Sequence, residues 1–164
     1  MAPRFAVLVV CHANTARSVM AEALLRRLLA DRDLLEHVQV DSAGVADWVR
    51  DGMLPSLDAR LVLREVGIEL PAEMASRDLR RHRGLLAEAD LVLTMSRLQG
   101  QRVAELTEAA GKPIFTLREF AGEEGDIADP AAQGEDVFRA CRDEIHRCLE
   151  RSLDRLTAYL PPAR

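Results

Sequence analysis

Phe5-Ala6-Val7-Leu8-Val9-Val10, followed at once by Cys11-His12-Ala13-Asn14-Thr15-Ala16-Arg17-Ser18, is the stretch on which the fold turns. Its first half is an unbroken apolar run rich in β-branched residues, which predicts a strand buried on both faces. The polar residues from Cys11 to Arg17 interrupt that run. Met20, Leu24 and Leu28 then recur at a spacing that puts them on one face of a helix. A doubly buried strand, a short loop and a helix make the opening of a βαβ crossover.

The rest of the chain repeats the alternation. Residues 38–40 read as a second strand, leading into Asp41-Ser42-Ala43-Gly44, which has the composition of a turn. Residues 45–56 read as an irregular loop, and 57–66 as a helix stopped by Gly67 at its C′ position. Segments 91–93 and 114–117 read as two further buried strands. Residues 121–134 are polar and hold three glycines and a proline, a long loop of the kind that tends to carry function. A closing helix places Val137, Cys141, Ile145, Cys148, Leu156 and Leu160 on its apolar stripe. The expected fold is therefore α/β, a three-layer α/β/α arrangement with a four-stranded parallel sheet, and residues 1–164 form one domain. Ligands on such sheets bind beyond the carboxyl ends of the strands, where the segment from Cys11 to Arg17 lies.

Bulk properties narrow the function classes. The 164 residues are 48% hydrophobic and 30% charged, an ordinary globular composition of single-domain size. A net charge of −5 opposes nucleic-acid binding, so any phosphate site must be locally positive against an acidic background. The apolar run from Phe5 is too short to span a membrane, and with only Arg4 as a preceding charge it makes a poor signal peptide. Three cysteines, an odd number, argue against a disulfide framework. No Cys or His pair has ligand spacing beside a second such pair, so no metal or other cofactor is expected. The expected setting is cytoplasmic.

The first loop carries chemistry. A lone cysteine at a strand end is usually a small buried hydrophobe, and an arginine at a helix start is usually solvated. Here the two stand six positions apart between a buried strand and a helix N-terminus. Backbone N–H groups of a tight loop and of a helix start converge on an anion. Arg17 can hold two phosphate oxygens with its planar fork. The same donors stabilise a thiolate at Cys11, which can attack phosphorus. Ser18 can cap the helix, donate to the Cys11 sulfur, or do both. A leaving group then needs a proton. Asp129, held extended by Pro130, is the candidate acid, with Asp126 as its competitor.

These residues resemble a known family. Cys11 to Ser18 with Met20-Ala21-Glu22-Ala23, then Val40-Asp41-Ser42-Ala43-Gly44, then Asp129-Pro130, are similar in order and separation to the motifs of low-molecular-weight protein tyrosine phosphatases. The resemblance covers nearly the whole chain and implies the same four-stranded fold. It implies that Cys11, Arg17 and Asp129 are catalytic and that His12, Ala13, Asn14, Thr15 and Ala16 form the phosphate-binding loop. It also implies that Asn14 holds that loop through contacts that include Ser42, and that Trp48 is an aromatic wall of the pocket. A phosphorylated protein is the implied partner.

Departures from the family pattern point to a branch. Ala13 replaces a usual glycine, a change that costs on the order of 1 kcal/mol if the position needs positive φ. Ala16 replaces a second cysteine that many members carry. Ala131 and Ala132 stand where tyrosine-directed members often have aromatic residues. Thr15, with segments 89–95, 115–120 and 125–130, resembles the bacterial protein arginine phosphatases of the same family. Two other readings stay open. A thioredoxin-coupled arsenate reductase shares this fold and loop but needs two more cysteines to relay oxidation. Cys141 and Cys148, seven apart on one helix, are about 10 Å apart along its axis, beyond the reach of a disulfide. A non-enzymatic anion-binding module would keep Arg17 and the loop amides but would not need both Cys11 and Asp129. His12, His37, His82 and His146 have no partners legible in sequence.

Overall fold

In the computed structural model, which describes residues 4–161, strand β1 (Phe5–Cys11) lies inside a parallel sheet of order β2-β1-β3-β4. Helix α1 (Arg17–Asp31) crosses from β1 to β2 (Val38–Gly44). Helices α2 (Leu57–Arg64) and α3 (Arg83–Glu88) precede β3 (Leu91–Thr94). Helix α4 (Arg97–Ala104) leads to β4 (Ile114–Thr116), and α5 (Leu117–Phe120) and α6 (Glu135–Tyr159) close the chain.

The apolar run of β1 splits between two cores by its period of two. Val7, Val9 and Cys11 join one cluster with Met20, Leu24, Ile145 and Leu149 of α1 and α6. Leu8 and Val10 join another with Leu86 of α3 and Val103 of α4. Helices thus cover both faces of the sheet, which gives the three layers expected. Burial on both faces is why β1 shows no polar alternation.

Four local expectations differ from the structure. Asp41 to Gly44 are not a turn: β2 runs through Gly44, pairing Ser42 with Val9 and Gly44 with Cys11. Ladder hydrogen bonds here override turn-like composition. The fourth strand ends at Thr116, because Leu117 opens α5 under a capping box of Thr116 and Glu119. Gly67 adopts φ 80° as expected of a C′ residue, with the Ile68 N–H returning to the Leu63 carbonyl, although α2 itself ends at Arg64. On α6 the stripe is shifted. Cys141, Ile145, Cys148 and Leu156 are buried, but Val137 is exposed and Phe138 takes its place, while Leu160 lies at the cap beyond the last turn.

The sheet's parallel strands all deliver their carboxyl ends to one edge. Cys11 ends β1 and Gly44 ends β2 beside it. The Ile127 N–H bonds the Met95 carbonyl just past β3, at 2.8 Å, and so fixes the long loop before α6 to the same edge.

Candidate active site

Cys11 is the last residue of β1 and 3% exposed, and α1 begins at Arg17. No side chain caps α1, so its first N–H groups are not taken by a capping side chain. Asn14 turns the loop with φ 59°, a left-handed conformation that asparagine tolerates better than most residues. Ala13 does not have positive φ. The strain expected from its replacing glycine therefore does not arise.

A buried hydrogen-bond chain holds this loop. The Asn14 amide nitrogen donates to Ser18 Oγ and to Ser42 Oγ, both at 2.9 Å. Asn14 Oδ1 accepts from the Arg77 backbone N–H at 2.9 Å. Because Ser18 Oγ already accepts from Asn14, its own proton is free for Cys11 Sγ, 2.9 Å away. The Asn14 N–H also points at Cys11 Sγ, at 3.3 Å. Two donors thus converge on the sulfur, the arrangement that a thiolate needs. Ser18 does not cap α1 but serves the sulfur. Ser42 lies beneath the loop and does not line the cleft above it.

That cleft has a volume of about 530 Å³. Cys11 and Arg17 form its floor with His12, Ala13, Thr15 and Ala16, and Trp48, Ala131, Ala132 and Asp129 also line it. The Arg17 side chain is 5% exposed, and one of its terminal nitrogens donates to the Ile127 carbonyl at 2.7 Å. The other lies 3.8 Å from the Asp129 carboxylate, which is half exposed. Arg17 therefore ties the phosphate-loop floor to the 121–134 loop. The Asp129 carboxylate also accepts from the Ala131 N–H at 3.0 Å, an Asx turn that fixes its orientation. Asp126 faces elsewhere: its carboxylate accepts from the Arg97 N–H at the start of α4, at 3.0 Å. The structure thus separates two acids that stand three positions apart in sequence. Burial and the Arg17 charge hold the His12 pKa below the usual imidazole value, which leaves the ring neutral near pH 7.

Several residues of the site were not read from sequence. Phe138 lines the cleft, so Trp48 is not the only aromatic there. A one-residue phase error on the α6 stripe, Val137 for Phe138, conceals it. Met53 and Asp58 also line the cleft. Met53 lies in an irregular loop with no periodicity to place it, and Asp58 in the first turn of α2, where an acidic residue reads simply as a helix-start residue. His82 has a partner after all, Asp51 at 3.1 Å, and His146 lies 3.6 Å from Glu150.

Gly44 is a further omission. A Cβ there would meet the His12 carbonyl oxygen at 2.6 Å and the Ala13 carbonyl carbon at 3.0 Å. Only glycine lets β2 lie this close to the phosphate loop. Gly44→Ala is expected to cost about 1–3 kcal/mol of stability through overpacking and to lower turnover by displacing the loop. Thermal denaturation and steady-state rates measured together check this, and a variant normal in both would contradict it.

The comparisons with known proteins decide the family. The family model described as low molecular weight phosphotyrosine protein phosphatase matches residues 6–160. The chain belongs to this family. A protein-arginine-phosphatase of Geobacillus stearothermophilus is 37% identical over 153 residues, covering 93% of this chain and 96% of the relative. A solved structure of a low molecular weight protein tyrosine phosphatase from T. tengcongensis is 30% identical with TM-score 0.82, covering 92% of this chain and 99% of its own. A solved arginine phosphatase with cysteine replaced by a phosphorylated active site serine is 31% identical with TM-score 0.84, covering 94% and 97%.

Low-molecular-weight phosphatase chemistry suits the remaining cysteines poorly as a redox relay. Cys141 and Cys148 are free and buried on α6. Burial pushes the Cys141 thiol up to about 12 and raises Cys148 as well, so both stay protonated and unreactive at neutral pH. This weighs against the arsenate reductase reading. Among the described residues no cluster suited to a metal ion occurs, and no helix is long and apolar enough to cross a membrane.

Proposed function

We propose that this phosphatase acts on phosphorylated protein side chains through a cysteinyl-phosphate formed on Cys11. The Cys11 thiolate attacks phosphorus while Arg17 and the loop amides hold the phosphoryl oxygens. The bond to the leaving group breaks, and Asp129 supplies its proton. Water then attacks phosphorus, the P–S bond breaks, and Asp129 takes the proton from that water. Ser18 donates to the sulfur as it leaves. One observation carries this reading: the Cys11 sulfur, the Arg17 guanidinium and the Asp129 carboxylate line one cleft, with Arg17 3.8 Å from Asp129. The three free thiols favour a reducing, cytoplasmic setting. The two cores share one sheet, which supports reading residues 1–164 as one catalytic domain.

Within that reading we assign the chain to the arginine-directed branch. Thr15 lines the cleft with a short polar side chain. Its hydroxyl can accept from a guanidinium leaving group, or hold water beside it, where isoleucine would offer only apolar bulk. The similarity to a protein-arginine-phosphatase supports the assignment. The small residues Ala131 and Ala132 support it less strongly, because Phe138 restores an aromatic contact in the cleft. The wild type is expected to prefer phosphoarginine over phosphotyrosine in matched peptides, and Thr15→Ile to shift the kcat/KM ratio toward tyrosine. An unchanged ratio, or a wild type that favours phosphotyrosine tenfold, rules the assignment out.

A further inference from the structure

We propose that the apolar rim formed by Trp48, Met53, Leu54 and Leu57 docks a large apolar side chain of the substrate polypeptide, close in sequence to the phosphorylated residue. These four are 66%, 52%, 64% and 68% exposed. Among the described residues, large hydrophobic side chains so exposed are few, and these four fall within one ten-residue stretch. Scattered exposed leucines need no explanation, but a cluster at the mouth of a cleft marks an interaction site.

The exposure is built in. Ser76 Oγ donates to the Arg50 carbonyl at 2.5 Å and accepts from the Met53 N–H at 2.8 Å. The Ser76 N–H donates to the Met53 carbonyl at 2.8 Å, and the Gly52 N–H to the Ser76 carbonyl at 2.9 Å. The Asp51 carboxylate accepts from the Asp78 N–H at 2.7 Å and meets His82 at 3.1 Å. A loop stitched this closely presents its apolar side chains in a fixed arrangement, which reduces the ordering cost of binding.

The occupant follows from continuity with the cleft. Trp48, Met53 and Ser56 line the cleft, and the exposed Leu54 and Leu57 stand on either side of Ser56 in the chain. The Ser56 N–H, between the two leucines, donates to the Thr15 carbonyl of the phosphate loop at 2.8 Å. This bond ties the rim to the loop in which the substrate's phosphoryl group would sit. An extended substrate advances about 3.3 Å per residue, so residues a few places from the phosphorylated one pass over it. The charges nearby have both signs, Arg50 and Asp58, and select no net charge. The apolar surface is what remains to discriminate.

This inference rests on the protein-phosphatase reading but not on the choice between tyrosine and arginine. The test uses the phosphorylated residue that gives the higher rate in the comparison above. Matched peptides carry leucine or serine at successive positions on either side of it. They are assayed with wild type and with the double variant Leu54→Ser, Leu57→Ser, with p-nitrophenyl phosphate as a control that does not reach the rim. Wild type is expected to favour at least one leucine-bearing peptide by about tenfold in kcat/KM. The double variant should lose that preference and keep its rate on p-nitrophenyl phosphate. Equal wild-type rates across the series, or a preference that survives in the double variant, overturns the proposal. Equal rates together with self-association of the wild type that the double variant abolishes overturn it in favour of a second copy as occupant. Hydrolysis of p-nitrophenyl phosphate with no peptide accepted fails the protein-phosphatase reading itself, and the rim with it.

Discussion

Cys11→Ser is expected to fold, to bind phosphate or vanadate, and to lose turnover by several orders of magnitude. The substitution changes one atom in a buried position whose hydrogen-bond partners, Ser18 and Asn14, accept an oxygen as readily as a sulfur. The binding floor, made by Arg17 and the loop amides, stays intact. What is lost is the nucleophile, because a serine hydroxyl has no base beside it here and does not ionise as a thiol does. Calorimetric binding of vanadate together with rates on an aryl phosphate checks both halves. Near-wild-type hydrolysis would remove Cys11 from the mechanism. Arg17→Lys should fail for a different reason. A lysine is a point charge and cannot both hold phosphate oxygens with a planar fork and reach the Ile127 carbonyl.

Asp129→Asn carries the second large effect, a rate loss of about 10²- to 10⁴-fold. The loss should grow as the leaving group becomes more basic: alkyl phosphates suffer more than p-nitrophenyl phosphate, whose leaving group needs little help. The dependence of rate on an acidic group should vanish as well. Asp126→Asn is the control that gives the assignment its content. Asp126 caps the start of α4, so its loss should lower stability slightly and leave the leaving-group dependence alone. A larger, leaving-group-dependent loss in Asp126→Asn would reverse the roles of the two acids.

The parallel sheet and the helix that follows β1 were legible because they rest on strong local signals. A doubly buried strand has a continuous apolar run, and α1 has an apolar repeat at helical spacing. The short helices α3, α4 and α5 were not read. The six residues of α3 and four of α5 are too few to show a period, and α4, as long as α2, has only Leu98 and Val103 as large apolar residues to carry one. Asp41 to Gly44 were misread because small and polar residues look like a turn wherever they fall. Here they are strand, since β1 supplies the ladder and the phosphate loop excludes anything larger than glycine at position 44.

The site was legible where one loop holds the chemistry and obscure where the fold brings distant parts together. Cys11, Arg17 and Ser18 are within eight positions of one another, and their spacing speaks for itself. The Arg77 N–H on Asn14 and the Ile127 carbonyl on Arg17 come from 63 and 110 residues away. Both contacts are made by backbone atoms, which leave no mark on residue identity. Sequence therefore points to candidate reacting groups before it shows what holds them.

The central claim is that phosphoryl transfer passes through Cys11, and trapping the intermediate tests it most directly. Wild-type protein mixed with excess p-nitrophenyl phosphate is quenched in denaturant during steady turnover and mapped by peptide mass spectrometry. The account predicts one phosphoryl group per protein on the peptide holding Cys11, and none in Cys11→Ala. Steady release of nitrophenol with no phosphoryl group on the protein, or with it on another residue, would contradict the account.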